Sequence, residues 1–350
     1  MEVHTGGRKY PEEWIMSFTN MDKFAHLAGD FVYLEVRINF KGLLGPALKG
    51  RKIVYAELEE PNRFFLSDPV FRRDEYEYYF YKILTICPFT AAWLNKQQGA
   101  QRRIPVFYPI DPELGPPKME KIYDIIYSGG LHSKEIFEDV KTISRFNYRF
   151  IAHNGILTYK TIPNLRIVRK MRHLFPSMKF LEAGARYITE QNIPHLEKWK
   201  IMAQTKITLL QNTVPCNAAG VTNVWRTKGW EDNGAFALFP RPSARGIITN
   251  FFDRIRGKTF TAPQLKTRAF EAALCRSLIL CRRDPWNLIE RFFEPGKEFI
   301  YYEPGKLEEK VREILSDFKK YEPVIENAHK KFMAEYTTQR FFEKYLKYLT

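Results

Sequence analysis

The chain has little cysteine and no long apolar run. Its 350 residues include four cysteines, Cys87, Cys216, Cys275 and Cys281, and no CxxC pair. This number is low for a disulfide framework, so we expect free thiols in a reducing compartment. No stretch reaches the roughly 18 apolar residues of a membrane span, and the first residues lack the apolar core of a signal peptide. We therefore expect a cytoplasmic protein, either free or peripheral to a membrane.

Several motifs of phosphate and metal chemistry are missing as well. No GxxxxGK[ST] loop occurs and no GxGxxG follows a strand pattern, which disfavours ATP hydrolysis and dinucleotide redox chemistry. There is no DxD pair to hold a diphosphate through a metal, and no HExxH or paired histidines for zinc. We therefore expect no metal cofactor, with cations of the protein itself neutralising any phosphate.

The positive charge of the chain is concentrated in one part. The net charge is +15, yet residues 1–115 are neutral, with 15 basic and 15 acidic side chains. Residues 141–250 carry 17 basic and 5 acidic side chains. This block predicts an anionic partner, which can be a nucleotide diphosphate, an acidic glycan, nucleic acid or anionic lipid. Charge alone does not choose among them, and a solvated basic face stays open.

Short apolar runs alternate with helical stretches along the chain, which predicts α/β layers with mostly parallel strands. The stretch Pro105–Pro117 contains five prolines and cannot continue a helix or a central strand, so it indicates a connection between domains. We expect one domain over 1–115, a second over 116–322 and an amphipathic helix over 323–350. Open parallel sheets bind ligands at the carboxyl ends of their strands, so the cleft between the domains is the expected site.

Individual elements of the second half follow from the same patterns. The expected strands are Tyr123–Tyr127, Tyr148–Ala152, Lys206–Leu210, Leu278–Cys281 and Glu298–Tyr302. The expected helices are Lys134–Ser144, Glu197–Gln204, Gln264–Arg276, Trp286–Phe293, Leu307–Lys320 and Val324–Tyr348.

The helix expected from Gln264 is the strongest candidate for chemistry. Pro263 is a favoured residue of a first helical turn, and free N–H groups there favour an anion. Lys266 and Arg268 add two cations, which suits a diphosphate leaving group. Glu271, one turn further, can accept hydrogen bonds from the ribose of a nucleotide. Arg268 and Glu271 can equally form an ordinary surface pair at i,i+3.

Residues 261–315 resemble the C-terminal signature of the GT-B glycosyltransferases, the superfamily also called glycosyl transferases group 1. The resemblance rests on KTRAFE at 266–271, SLIL at 277–280 and FEPGKEF at 293–299. Upstream, YDIIYSGG at 123–130 resembles the first strand and phosphate-side loop of the nucleotide domain. The resemblance implies an α/β GT-B fold, with two Rossmann-like domains facing a central cleft and a C-terminal helix that can cross back to the first domain.

The resemblance also implies an activity and a donor site. The activity is transfer of a sugar from a UDP- or GDP-linked donor to a glycan, glycoprotein or other hydroxyl acceptor. Glu271 matches the glutamate that holds the donor ribose. Many retaining members carry another glutamate eight residues earlier, where this chain has Pro263, so a retaining or inverting outcome stays open. The implied donor-binding residues are Ser128, Gly129, Gly130, Lys206, Lys266, Arg268 and Glu271. His132 is a further candidate for contact with phosphate because of its position just after the SGG loop.

The catalytic base is not identified by any pattern. His4, His26 and Asp30 are candidates for activating an acceptor hydroxyl, and each is also compatible with a structural or surface role. Two other function classes stay open. RFNYRF at 145–150 mixes aromatic and arginine side chains as nucleic-acid-binding proteins do, although no binding module is legible, which disfavours nucleic acid. A non-catalytic nucleotide-sugar-binding homologue at an anionic membrane surface also agrees with the basic block.

Overall fold

The computed structural model describes residues 2–4, 31–35, 52–57, 80–99, 101–131, 134–152, 184–216 and 260–346. Within these ranges, strands β1 to β13 span Glu2–His4, Phe31–Glu35, Lys52–Glu57, Lys82–Thr85, Arg103–Pro105, Tyr123–Ser128, Tyr148–Ala152, Glu190–Gln191, Thr205–Leu210, Thr213–Cys216, Phe260–Pro263, Leu278–Arg282 and Ile300–Tyr302. Helices α1 to α7 span Pro88–Gln98, Lys134–Ile143, His195–Ala203, Arg268–Leu274, Leu307–Ser316, Glu322–Glu335 and Thr338–Phe341. Shorter 3-10 and π turns occupy Pro112–Leu114, Leu288–Arg291, Phe318–Tyr321 and Phe342–Leu346.

The first sheet contains five parallel strands in the order β1-β2-β3-β4-β5. Residues 53–56 of β3 and 83–85 of β4 are all buried, as expected for a parallel sheet that is covered on both faces. Helix α1 follows β4, with Pro88 in its first turn and Gly99 closing it in the left-handed conformation, φ +59°.

The second sheet contains six parallel strands in the spatial order β8-β7-β6-β9-β12-β13. Counted by their sequence order within this sheet, the strands lie as 3-2-1-4-5-6, the order of doubly wound nucleotide-binding folds. Successive side chains pack on opposite faces. In β6, Ile126 packs with Trp199 of α3 and Phe332 of α6, whereas Ile125 and Tyr127 belong to the cluster that contains α2 and α5. The continuous apolar run of β6 therefore serves two cores.

The two sheets are joined by an aromatic cluster. The ring of Phe107, just after β5, lies 6.1 Å from that of Phe270 in α4 and 5.2 Å from that of Tyr336, which follows α6. The backbone N–H of Thr338 also donates a hydrogen bond to the carbonyl of Ile110 at 3.1 Å. The C-terminal segment therefore crosses back to the first sheet, as the resemblance implied. The domain boundaries at 115 and 322 stay predictions.

The expected strands of the second half are confirmed to within two residues at each end. Two helix predictions are wrong in extent. The helix expected over 307–320 ends at Ser316 and is followed by a 3-10 turn. The helix expected over 324–348 breaks after Glu335, because the Thr337 hydroxyl accepts a hydrogen bond from the backbone N–H of Arg340 and caps a new short helix. The helix expected over 286–293 is only a 3-10 turn.

The helix expected from Gln264 is also corrected. Pro263 does not open a helix but ends β11, which pairs antiparallel with β10. Gln264 donates its backbone N–H to the carbonyl of Asn212 at 2.9 Å, which fixes an extended connection. Helix α4 begins only at Arg268, after Thr267, and has seven residues. Proline occurs at strand ends as well as in first helical turns, and pairing with β10 selects the strand here.

No helix in the described ranges combines the length and apolar character needed to cross a membrane. The described thiols, those of Cys87, Cys275 and Cys281, are buried and not joined in disulfides. Burial raises the pKa of Cys281 well above its usual range, so this thiol stays protonated near neutral pH.

Candidate functional site

The carboxyl ends of β6 and β9 are neighbours at the centre of the second sheet. The strand that follows β6 in this sheet, β7, lies on one side of this central pair, and the strand that follows β9, β12, lies on the other side. Open parallel sheets bind ligands where the strand order reverses in this way. Gly129 and Gly130 follow β6, and Gln211 and Asn212 follow β9. These two connections are therefore the first place to look for a ligand site.

Arg268 lies directly against the loop that follows β6. Its guanidinium carbon is 5.1 Å from the centre of the Tyr127 ring. A Cβ atom added at Gly129 would lie 2.8 Å from Nη1 of Arg268, and the φ of +152° at Gly129 favours glycine. The Tyr127 hydroxyl donates to the carbonyl of Gly130 at 3.0 Å and so holds the loop. Glycine at 129 is what allows the cation to approach this backbone.

The Nη1 atom of Arg268 is buried and has no hydrogen-bond partner among the described residues. Arg268 as a whole is half-buried, but a buried donor atom without a hydrogen-bond partner is costly unless a ligand accepts from it. The backbone N–H of Lys266, two residues earlier, donates to Oδ1 of Asn212 at 3.1 Å, and its ammonium bonds the Gln264 side chain. The structure thus brings Gly129, Arg268 and the connection that contains Lys266 to one edge of the sheet. These were three of the sequence-predicted positions.

Glu271 lies fully buried between α3 and α4. Its Oε1 accepts a hydrogen bond from Nζ of Lys198 at 2.6 Å, and the two side chains are 1% and 4% exposed. Burial alone would raise the pKa of Glu271, but the charges of Lys198 and His195 and the hydrogen bond from Lys198 lower it overall. The carboxylate is therefore ionised, and its partner is Lys198 rather than Arg268. The predicted ribose contact stays a prediction.

Lys206 lies at the opposite edge of the second sheet. It stands near the start of β9, where its ammonium pairs with Oδ1 of Asp124 at 2.9 Å. Because parallel strands all point the same way, a residue at the start of β9 is separated from Asn212 by the full length of the strand. The donor-binding role of Lys206 stays a prediction.

The remaining sequence candidates are not placed with the site. Ser128 is the last residue of β6 and is buried. His26, Asp30 and His132 lie outside the described residues, and only the backbone of His4 is described, in β1. Their predicted roles stay predictions.

A polar cavity of about 220 Å³ lies beyond the ends of β9 and β12. Beneath it, Oδ2 of the buried Asp139 in α2 accepts hydrogen bonds from Gln211 at 2.5 Å, from the Tyr302 hydroxyl at 2.7 Å and from Arg282 at 3.4 Å. Burial raises the pKa of Asp139, although these hydrogen bonds and the charge of Arg282 oppose the rise. One carboxylate therefore fixes Gln211 and Arg282, which line the cavity. The lining residues are Glu135, Gln211, Asn212, Thr213, Thr261, Arg282, Arg283, Asp284, Pro285 and Pro304.

This cavity was not predicted from the sequence, although the signal was present. Gln211 and Asn212 directly follow one apolar strand, and Arg283 and Asp284 directly follow another. Polar residues at the carboxyl ends of neighbouring parallel strands meet at one edge of a sheet.

Comparison with known proteins agrees with this architecture. A family model described as glycosyl transferase-like matches residues 254–347. TarM from S. aureus has a TM-score of 0.53 at 9% identity, over 94% of this chain and 57% of TarM. Sucrose-phosphate synthase from Thermosynechococcus elongatus has a TM-score of 0.51 at 11% identity, over 93% of this chain and 74% of the synthase. HepE from Anabaena has a TM-score of 0.51 at 11% identity, over 91% of this chain and 78% of HepE.

These similarities define the chain as a protein of the GT-B fold class. Over residues 254–347 it matches the glycosyl transferase-like family, and the predicted resemblance to GT-B glycosyltransferases is confirmed. The chain spans little more than half the length of TarM. Among proteins with curated functions, no significant sequence match is found.

Proposed function

We propose that the chain transfers a sugar from a nucleotide-diphosphate donor to a hydroxyl group of a glycan or other acceptor. One observation carries the proposal, namely the buried, unpartnered Nη1 of Arg268 against Gly129, at the point where the strand order of the second sheet reverses. The GT-B fold and the family match at residues 254–347 support it.

The proposed chemistry requires neutralisation of a leaving group. As the bond between the sugar C1 and the phosphate oxygen breaks, negative charge grows on the departing diphosphate. A fixed cation in a buried site stabilises that charge more than a cation in water does. Arg268 supplies such a cation, and the loop of Gly129 and Gly130 lets the phosphates approach backbone without a Cβ. The acceptor oxygen then bonds to C1 and its proton passes to a base, for which His4, His26 and Asp30 stay the candidates. Function without a metal stays part of the proposal.

A uridine diphosphate donor is the first to test. The HepE structure contains UDP-glucose, and the TarM structure contains UDP and alpha-GlcNAc-glycerol. By analogy we propose a UDP-linked donor and a glycan acceptor for this chain, with a GDP-linked donor as the alternative.

The test is nucleotide binding by the full chain and two arginine variants, measured by calorimetry with UDP and GDP. Arg268→Ala removes the cation and should weaken binding by about tenfold or more, since a hydrogen bond to a charged group contributes roughly 1.5–3 kcal/mol. Arg312→Ala is the matched control, because Arg312 is 63% exposed, pairs with Glu308 and lies over the Phe146 ring rather than against Gly129. Equal nucleotide affinity in the parent and Arg268→Ala would contradict the proposal, as would absence of binding by the parent.

Assays on the same protein distinguish the other two function classes. Nucleotide-sugar binding without hydrolysis or transfer would assign the chain to the non-catalytic homologues. Steeply salt-dependent RNA or DNA binding without nucleotide binding would favour the nucleic-acid class. Association with an anionic membrane also stays a prediction, since more than half of the basic block at 141–250 lies outside the described residues.

A further inference from the structure

The cavity beyond β9 and β12 differs electrostatically from the surroundings of Arg268. Arg282, on its wall, already pairs with Asp139 at 3.4 Å. Arg283 pairs with Glu303 at 2.6 Å, and its guanidinium carbon lies 4.0 Å from the centre of the Tyr301 ring. Both arginines of the cavity are therefore neutralised by carboxylates. A diphosphate would find no uncompensated cation there.

Asp284 adds a carboxylate to the same wall. Its Oδ1 accepts backbone hydrogen bonds from Trp286 at 2.9 Å and from Asn287 at 3.0 Å, which uses both lone pairs of that oxygen. The side chain is buried, with the residue 8% exposed, and Oδ2 has no hydrogen-bond partner among the described residues. Burial raises the pKa of Asp284 to about 6, against the lowering effect of the two backbone hydrogen bonds. A buried acceptor of this kind is stabilised by a ligand that donates a hydrogen bond.

We propose that this cavity binds the hydroxyl groups of a sugar, with Asp284 as the acceptor and Gln211 and Arg282 as the neighbouring polar groups. The inference rests on the proposed glycosyl transfer and names a second subsite for it. A volume of about 220 Å³ lies below the roughly 300–1,000 Å³ of pockets for drug-sized ligands, so the cavity suits one sugar ring rather than a whole nucleotide sugar. The two arginines are paired with carboxylates, and Oδ2 of Asp284 still lacks a donor, so an uncharged polyol with hydroxyl donors suits the wall.

The position of the cavity agrees with a sugar subsite next to a diphosphate subsite. Asn212 lines the cavity, and its Oδ1 also accepts the backbone N–H of Lys266, two residues before Arg268. A sugar bound here lies next to the edge at which Arg268 would hold the diphosphate. The sugar can belong to the donor or to the acceptor, and both sources present the same hydroxyl chemistry.

The test compares the full chain with Asp284→Asn. Asparagine keeps an oxygen for the two backbone hydrogen bonds but replaces the second acceptor by an NH₂ donor. Asp124→Asn is the matched control, because Asp124 lies at the opposite edge of the same sheet and pairs with Lys206. Calorimetry with UDP, UDP-glucose, UDP-galactose and UDP-N-acetylglucosamine measures how much the attached sugar adds to the affinity for UDP. A second titration uses methyl α-glucoside in the presence of UDP.

If the cavity holds the sugar of the donor, the parent should bind one UDP-sugar more tightly than it binds UDP. Asp284→Asn should then bind that UDP-sugar about tenfold more weakly than the parent does, while its affinity for UDP stays unchanged. If the cavity holds the sugar of the acceptor, Asp284→Asn should weaken only the affinity for methyl α-glucoside. Asp124→Asn should match the parent throughout. The inference is overturned if Asp284→Asn changes neither titration, or if it weakens UDP and the UDP-sugars equally. Loss of UDP binding in Arg268→Ala tests the donor proposal separately, so the two failures are distinguishable.

Discussion

The buried pair of Lys198 and Glu271 gives the sharpest prediction about energetics. Both side chains are almost fully buried, and their charged atoms are 2.6 Å apart. Glu271→Gln removes the carboxylate charge that the Lys198 ammonium contacts. Removal of one partner from a buried pair destabilises a protein by about 3–5 kcal/mol. At about 2–4 °C per kcal/mol for a domain of roughly 150–250 residues, the melting temperature should fall by about 6–20 °C.

The double variant Lys198→Met with Glu271→Leu provides the internal comparison. Replacement of a whole buried pair by apolar side chains is often neutral or stabilising, so the double variant should melt closer to the parent than either single variant does. An exposed pair supplies the control. Glu294→Gln disrupts a pair with Lys297 in which both side chains are 58% exposed, and its melting temperature should stay close to that of the parent.

The pH dependence has a definite sign. The folded-state pKa of Glu271 lies below its ordinary value of 4.5, so its stabilising contribution is present above that pH and is lost as the pH falls through the folded pKa. Glu271→Gln should lack this component of acid destabilisation. If Glu271→Gln and Lys198→Met each have a free energy of unfolding within about 1 kcal/mol of that of the parent, the assignment of a buried ion pair is refuted. The UDP affinity of the double variant then shows whether Glu271 also binds the ribose of the donor.

Two further predictions concern Gly129, next to Arg268, and the buried Lys121. Gly129→Ala places a Cβ 2.8 Å from Nη1 of Arg268, so the guanidinium has to move, and UDP affinity should fall by no more than it does in Arg268→Ala. Gly296→Ala is the control, because Gly296 also has positive φ, +77°, but open space around it. Equal UDP affinity in the two variants would contradict a role for this contact. Lys121 donates to three backbone carbonyls, and burial lowers its pKa to about 8 from 10.5. Between these two values the unfolded chain binds one more proton, so the stability of the parent should rise with pH relative to Lys121→Met, and urea titrations with parallel pH profiles would contradict this.

Local patterns were sufficient for the strands. The run YDIIYS predicted β6 because a strand buried on both faces must be apolar at successive positions. This prediction is confirmed, because it depends on residues adjacent in sequence. The approach of phosphates to the glycines that follow β6 was implied by the resemblance and stays a prediction, although the structure places Arg268 against Gly129.

Contacts between residues distant in sequence could not be predicted from local patterns. Pro263 had the local signature of a helix start, but pairing of β11 with β10 determined its conformation, so that prediction was wrong. Glu271 lies in the interior beside Lys198, 73 residues earlier, a partner that no local pattern indicated. The donor-binding roles of Glu271 and Lys206 stay predictions.

The sequence by itself determined the fold class, the alternation of strands and helices, and the loop at Gly129, since each is encoded in hydrophobic period and in the conformational range of single residues. Only the tertiary structure decided which polar groups meet. Asp139, Gln211 and Arg282 come from three separate segments, and their contact exists because parallel strands and the helices over them deliver their ends to one edge of the sheet. Such a contact depends on the spatial order of strands, which no short stretch of sequence contains.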